Sequence, residues 1–356
     1  MSVVQTCVPA CTKLVRACSQ SHHRQALHSN RERLPSKVQQ FASFQKCSLA
    51  GARLVPRTRA RGAGAERSVD RLRNLQVRAL TIEEQVVTIQ TKTGPMHTLV
   101  LKPTAPGKYP GVVFYSEIFQ VTGPIRRSAA MMACHGFVVI VPDIYHEDEA
   151  PGSHLDYDGP GADRGNALKI AKNMHDYDSD AEAAIQFLKS HQACTGKVGT
   201  MGFCIGGHLA FRAALHPDVV AAAVFYPTDI HKGSPKGLTP AGGGRMGFTC
   251  DTLKRVPEFA EDGTELLMIF GRQDPHIDRP GRKRILNSLM DADVPFTWHE
   301  FNGQHAFMRD EGYRYDGELA IECYTKSVNL FRRKLNVGDL PVPSSSVGTT
   351  SLESRH

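Results

Sequence analysis

No stretch of this sequence approaches the roughly 18–20 consecutive apolar residues that a membrane helix needs. Its apolar runs, such as GFVVIVP at 136–142, have the length of strands. Paired spacing is missing from the nine cysteines, which stand at 7, 11, 18, 47, 134, 194, 204, 250 and 323 with no C-x-x-C among them. A disulfide framework and a zinc cluster of the usual spacing are therefore not expected. Tryptophan occurs once, and no internal repeat is visible. Acidic residues are nearly absent from the first 65 positions, where eleven Lys/Arg face the single Glu32.

That last absence locates the charge. The chain carries +7 overall, the amino-terminal arm accounts for +10, and the remainder is therefore −3. A basic excess confined to one arm gives no reason to expect nucleic-acid binding by the folded part. The arm is rich in Ser, Arg and His and lacks a regular hydrophobic period, which marks an organelle transit peptide and not a secretory signal. A disordered basic tail is the other reading. Residues 1–80 are taken as this arm, with a processing region around Val77-Arg78-Ala79, and a chloroplast destination is preferred because the arm is long, bears serines and is interrupted by Pro9 and Pro35. The mitochondrion and the cytoplasm are the alternatives. Residues 337–356, with the segment DLPVPSSSVGTTSLESRH, are polar and read as disordered.

Between the two lies a domain at 81–336 whose 41% hydrophobic chain average is that of an ordinary globular protein. Val86–Gln90 and Thr98–Leu101 read as short strands around the turn signal TKTGP. KYPGVVFYSE, GFVVIVPDIY, GKVGTMGF, VVAAAVFYP, ELLMIFG and VPFTWHEF follow as strands. Helices are expected at 123–135, over DYDSDAEAAIQFLKS with an Asp cap, over CIGGHLAFRAAL and within 313–335. Continuous apolar strands alternating with helices indicate an α/β fold, a mostly parallel sheet covered on both faces. Two loops interrupt it: 146–163, acidic and Gly/Pro-rich, and 229–250, laden with glycine. Loops of such length carry function or move.

GFCIGG, at 202–207, sits between a strand and a helix, and its glycines suit a sharply bent, tightly packed turn. The turn puts Cys204 at a helix N-terminus, where the dipole favours negative charge. A buried, inert cysteine is the competing reading. A thiol nucleophile needs a base and an orienting acid, and here Asp274 and His305 follow Cys204 in that order, each just past a later strand. Ligands bind at that edge of a parallel sheet.

The motifs SEIF (116–119), PDIY (142–145), GFCIGG (202–207), GRQDP (271–275) and GQHAF (303–307) resemble those of the dienelactone hydrolase, or carboxymethylenebutenolidase, family over roughly residues 85–335. The resemblance implies a single α/β-hydrolase domain with Cys204, Asp274 and His305 as its triad. It also implies a role for Glu117, close to the nucleophile, in keeping the cysteine a protected thiol at rest and in activating it when substrate arrives. Backbone N–H groups of Ile205 and Ile118 are expected to form the oxyanion hole. The family's two arginines fall at Arg309, four residues after His305, and at Arg164 in ADRGNALK. Guanidinium groups recognise carboxylates through forked hydrogen bonds, so a small anionic lactone or ester is the expected substrate, with a surface ion pair as the bland reading of each arginine. No metal, organic cofactor, nucleic acid or membrane partner is expected, and the chain is expected to be a monomer or weak homo-oligomer.

Two features depart from the family. Gln120 stands where a glycine usually follows EIF, and 229–250 is longer than in compact bacterial members, reading as a lid or pocket wall with an oligomer contact as the rival. The expected activity is hydrolysis of a carboxylate-bearing lactone or ester through a thioester. A broader carboxylesterase or thioesterase, and a non-catalytic ligand-binding module, are the alternatives.

Overall fold

In the computed structural model, the residues described are 80–232, 251–259 and 263–336. The expected transit segment 1–80 apart from Leu80, most of the 229–250 insertion and the tail 337–356 lie outside them. One eight-stranded sheet organises the described residues, in the order β1-β2-β4-β3-β5-β6-β7-β8. β1 (Ile82–Thr91) and β2 (Gly94–Pro103) form an antiparallel hairpin, and β2 pairs antiparallel with β4 (Val138–Pro142). All other pairings, through β3 (Tyr109–Tyr115), β5 (Cys194–Phe203), β6 (Val219–Phe225), β7 (Glu265–Gly271) and β8 (Phe296–Phe301), are parallel. Each apolar run in the sequence forms a strand because both faces of the central sheet are covered. β3 and β4 are buried at every position.

The cover comes from six helices among the described residues. α1 (Gly123–Cys134) packs on the hairpin and β4, and α6 (Gly317–Lys334) packs on β6 and β7. Ser128 of α1 meets Tyr324 of α6 at 2.7 Å, and Phe137 lies edge-on to Phe331, so these two helices share a face. α3 (Met174–Ser190) and α4 (Ile205–Ala213) cover β5 and touch each other through Arg212 and Asp178, 2.6 Å apart. α2 (Gly159–Ala171) and α5 (Arg279–Asp291) complete the set.

β1 and β2 run longer than the expected Val86–Gln90 and Thr98–Leu101, and three helices differ from the sequence reading. The loop expected to run to 163 ends at Asp158, whose carboxylate accepts the Gly161 N–H at 2.7 Å and starts α2 five residues earlier, with a proline in the first turn. The cap of α3 is Asn173, which accepts the Asp176 N–H, and not an aspartate. α5 was not expected at all. Only Ile285 and Leu289 are its large buried apolar residues, too few to raise a clear period, and its start is fixed locally by Asp278 accepting the Gly281 N–H at 2.8 Å.

Candidate active site

Every residue singled out from the motifs falls beyond the carboxyl end of a strand. Glu117 and Ile118 follow β3, Cys204 follows β5, Asp274 follows β7 and His305 follows β8. Parallel pairing puts all four strand ends at one edge.

The turn at Cys204 is built by close backbone approach. A Cβ on Gly206 would lie 2.2 Å from the Tyr115 carbonyl oxygen, and one on Gly207 would lie 2.5 Å from that of Phe225. Only glycine fits there. Cys204 itself takes φ 61° and ψ −120°, a backbone conformation that costs a non-glycine residue about 1–3 kcal/mol and is found where a site needs it. The strain is held by three backbone hydrogen bonds: Cys204 N–H to Phe225 C=O (3.2 Å), and the N–H groups of Thr228 and His208 to Cys204 C=O (3.2 and 3.3 Å). Ile205 then opens α4, so its N–H has no intrahelical acceptor.

His305 and Asp274 are both buried, and His305 Nδ1 lies 2.7 Å from Asp274 Oδ2. Asp274 is steadied in turn by accepting the His276 N–H at 2.7 Å. The Cys204 side chain is close enough to act on the imidazole electrostatically, so the three residues are neighbours. Burial by itself would lower the pKa of His305, but the charge on Cys204 and the hydrogen bond to Asp274 outweigh it and raise the value to about 10. Tyr226 packs edge-on to the ring, 5.0 Å between centroids, and fixes its plane. Thr228 Oγ1 lies 4.0 Å from Cys204 Sγ.

Glu117 is buried, with Arg309 Nη1 3.6 Å from its Oε2. Burial raises its pKa, and Arg309, His305, a hydrogen bond from Tyr157 and Arg314 pull the other way without cancelling the rise. This carboxyl thus holds its proton more readily than a free glutamate does. Arg309 is mostly buried and stacks on Tyr157, its guanidinium carbon 4.2 Å from the ring centroid. Arg164 is placed otherwise. It is half exposed on α2, and two of its nitrogens lie 2.7 Å from Glu149 Oε1. A carboxylate ligand would have to displace that partner.

The sequence offered no sign of Tyr157, Tyr226 or Thr228, since none belongs to a spaced motif and the fold alone brings them to the edge. Gln120 has a structural account. It takes φ 63°, where a glycine would rest easily, and is fully buried. Its side chain donates to Ser153 C=O (3.2 Å) and accepts the Tyr145 N–H (3.3 Å), binding the 146–158 loop to the turn that carries Glu117. Among the described residues, one group of His and acidic side chains is close enough to share an ion: His146, Glu147 and Asp180. Lys172 Nζ already lies 2.8 Å from Glu147 and 2.5 Å from Asp180, so an internal ammonium occupies that position.

A family model, the dienelactone hydrolase family, matches residues 96–335. The chain belongs to the dienelactone hydrolase family. A putative carboxymethylenebutenolidase of Saccharomyces cerevisiae is 39% identical over 267 residues, covering 72% of this chain and 94% of the relative. A carboxymethylenebutenolidase of Pseudomonas putida is 29% identical over 238 residues, covering 66% and 90%. Among solved structures, a putative dienelactone hydrolase from Klebsiella pneumoniae superposes with a TM-score of 0.58 at 19% identity, covering 71% of this chain and 99% of the other. That likeness shows the α/β-hydrolase fold. As a member of the dienelactone hydrolase family, the chain is an ester or lactone hydrolase.

Proposed function

We propose that the chain hydrolyses a carboxylate-bearing lactone or ester through a thioester on Cys204. The observation that carries the reading is the buried Asp274–His305 hydrogen bond, with Cys204 acting on the same imidazole from a strained turn at a helix N-terminus. In the proposed cycle the Cys204 sulfur attacks the carbonyl carbon, the carbon–oxygen bond of the ester breaks, and the leaving oxygen departs with the proton of His305. The N–H groups of Ile118 and Ile205 bind the oxyanion formed on the way, a contribution of about a hundredfold in rate per donor.

The pKa causes at His305 suit the second half of the cycle. While Cys204 carries charge, that charge is the strongest influence holding His305 protonated. Acylation converts the sulfur to a neutral thioester and removes it. The pKa of His305 then falls, and once its proton has gone to the leaving oxygen the imidazole, oriented by Asp274, can take a proton from water. Water adds to the thioester carbon, the C–S bond breaks, and the electron pair returns to Cys204.

Arg309 is assigned the substrate carboxylate, since it is buried beside Glu117 and held in no close ion pair. Arg164 could take part only after releasing Glu149. Glu117, next to Arg309, is assigned the part of coupling substrate arrival to activation of the thiol. Arg309→Ala should raise KM for carboxylate-bearing esters by tenfold or more and leave neutral esters within about twofold, a guanidinium–carboxylate bond being worth roughly 1.5–3 kcal/mol. Equal changes for both substrate classes would remove the anion-recognition assignment. We further propose that residues 1–80 direct the chain to the chloroplast, supported by their acid-poor, Arg- and Ser-bearing composition. A fluorescent fusion of this segment that stayed cytosolic would refute that.

A further inference from the structure

Arg309 and Glu117 are opposite charges inside the protein, yet they do not close on each other. At 3.6 Å their nearest atoms are beyond hydrogen-bond length. Glu117 Oε2 and Arg309 Nε are both buried without a hydrogen-bond partner among the described residues. A free pair in so dry a place would be expected to contract into a forked bond of about 2.8 Å. Something holds the two apart.

Tyr157 touches both. Its ring lies under the Arg309 guanidinium at 4.2 Å, with Phe119 at 5.9 Å forming the rest of the shelf. The Tyr157 and Phe119 rings meet edge-on at 4.7 Å. Its hydroxyl lies 2.6 Å from Thr122 Oγ1 and also reaches the Glu117 carboxyl. The phenol can therefore accept from Thr122 while donating to Glu117. The loop that presents it is fastened to the β3 turn by Leu155 N–H to Phe119 C=O (3.0 Å), the Gln120–His154 bridge and the Gln120 side chain.

We propose that Tyr157 is a positioning residue that keeps Arg309 off Glu117, leaving the Arg309 Nε–H free for the substrate carboxylate. The ring face fixes the guanidinium by cation–π attraction, while the hydroxyl, held by Thr122, acts on the carboxyl. An incoming carboxylate meets an arginine already aimed and in no hydrogen bond with Glu117, and its charge replaces that of Glu117 as the partner of Arg309. The inference rests on the reading of Arg309 as the carboxylate binder.

Two variants separate the two halves of Tyr157, and Arg309→Ala is assayed beside them. Tyr157→Leu removes the shelf: KM for a carboxylate-bearing aryl ester should rise about 5- to 30-fold, the range of a desolvated cation–π contact of roughly 1–2 kcal/mol. KM for the neutral methyl ester should stay within twofold, and because this variant loses the hydroxyl too, its kcat is compared with that of Tyr157→Phe. Tyr157→Phe keeps the shelf and should leave KM near wild type while shifting the pH profile of Cys204 alkylation by iodoacetamide. Glu117 is faced by Arg309, Arg314 and His305 from beyond β8, by Tyr157 from beyond β4 and by Tyr226 from beyond β6. Its limb of the profile is identified as the one that Glu117→Gln abolishes. Without the donor, that limb should move up by about one pH unit.

If Arg309→Ala discriminates between the two esters and Tyr157→Leu does not, the Tyr157 assignment fails and the substrate reading stands. If Arg309→Ala itself fails to discriminate, both fall. Should Tyr157→Leu not fold, Tyr157→Phe decides: a Glu117 limb that stays in place, or is missing from the wild-type profile, overturns the proposal.

Discussion

At Asp274 the carboxylate accepts from two directions, the His305 ring and the His276 backbone N–H. The second bond leaves Oδ2 aimed at Nδ1, so the aspartate fixes both the tautomer and the charge of the imidazole. Asp274→Asn keeps the size and removes the charge. His305, which Asp274 helps to hold at about 10, should then titrate lower, and hydrolysis should fall by at least a hundredfold, read as kcat/KM across a pH series. Loss below tenfold would mean that Asp274 only packs the ring. Of the residues in this site, Cys204, Asp274 and His305 were legible because chain order and strand position constrain them. Glu117 was legible only through family resemblance, since a lone glutamate in a loop carries no signal of its own. Tyr157 was not legible: its contacts with Glu117 and Arg309 span 40 and 152 positions of sequence, and no spacing encodes them. Arg164 matches the family's pattern in sequence, but what a guanidinium pairs with depends on the loop opposite, here the one bearing Glu149.

Elements show a similar division. Strands were readable because burial on both faces makes them continuous apolar runs, and the turn at 202–207 because three glycines within six residues demand close backbone packing. Helices fixed by caps and charge instead of apolar period were not: α5 went unread, and α2 and α3 begin where Asp158 and Asn173 cap them. The glycine argument is testable within one protein. Gly206→Ala drives a Cβ to 2.2 Å from Tyr115 O and 2.4 Å from Ser116 O, both backbone atoms that cannot step aside. It should cost 3 kcal/mol or more, or prevent folding. Gly159→Ala, at the start of α2 with nothing within 4 Å, should be neutral or stabilising by up to about 1 kcal/mol. Chemical denaturation of the two variants checks this, and equal midpoints would refute the packing account of the turn.

Over the whole molecule, buried polar groups tie the cover helices to the sheet and to each other. Arg212 of α4 donates to Asp178 of α3 at 2.8 and 2.6 Å and to Asp251 at 2.5 Å. Beside it, His208 is fully buried on α4, 2.7 Å from Thr252 Oγ1. Burial, together with the Arg212 charge, lowers its pKa to about 3. In the unfolded chain this histidine takes a proton near 6.5, so between about pH 6.5 and 3 the unfolded state binds more protons than the native one. Stability from this group is therefore intact above 6.5 and drains away as pH falls through that window. His208→Gln should be less stable at pH 7, yet its denaturation midpoint should fall less steeply on acidification than that of the wild type. Parallel slopes would show that His208 does not titrate as its burial implies.

The central claim is that a thioester forms on Cys204. Rapid acid quench of the protein turning over a carboxylate-bearing ester, followed by digestion and mass spectrometry, tests it most directly. The account predicts an acyl mass on the peptide carrying Cys204, accumulating in His305→Ala and absent in Cys204→Ala, which should have lost turnover while remaining folded. Undiminished turnover by Cys204→Ala, with no acylated peptide in any variant, would contradict it.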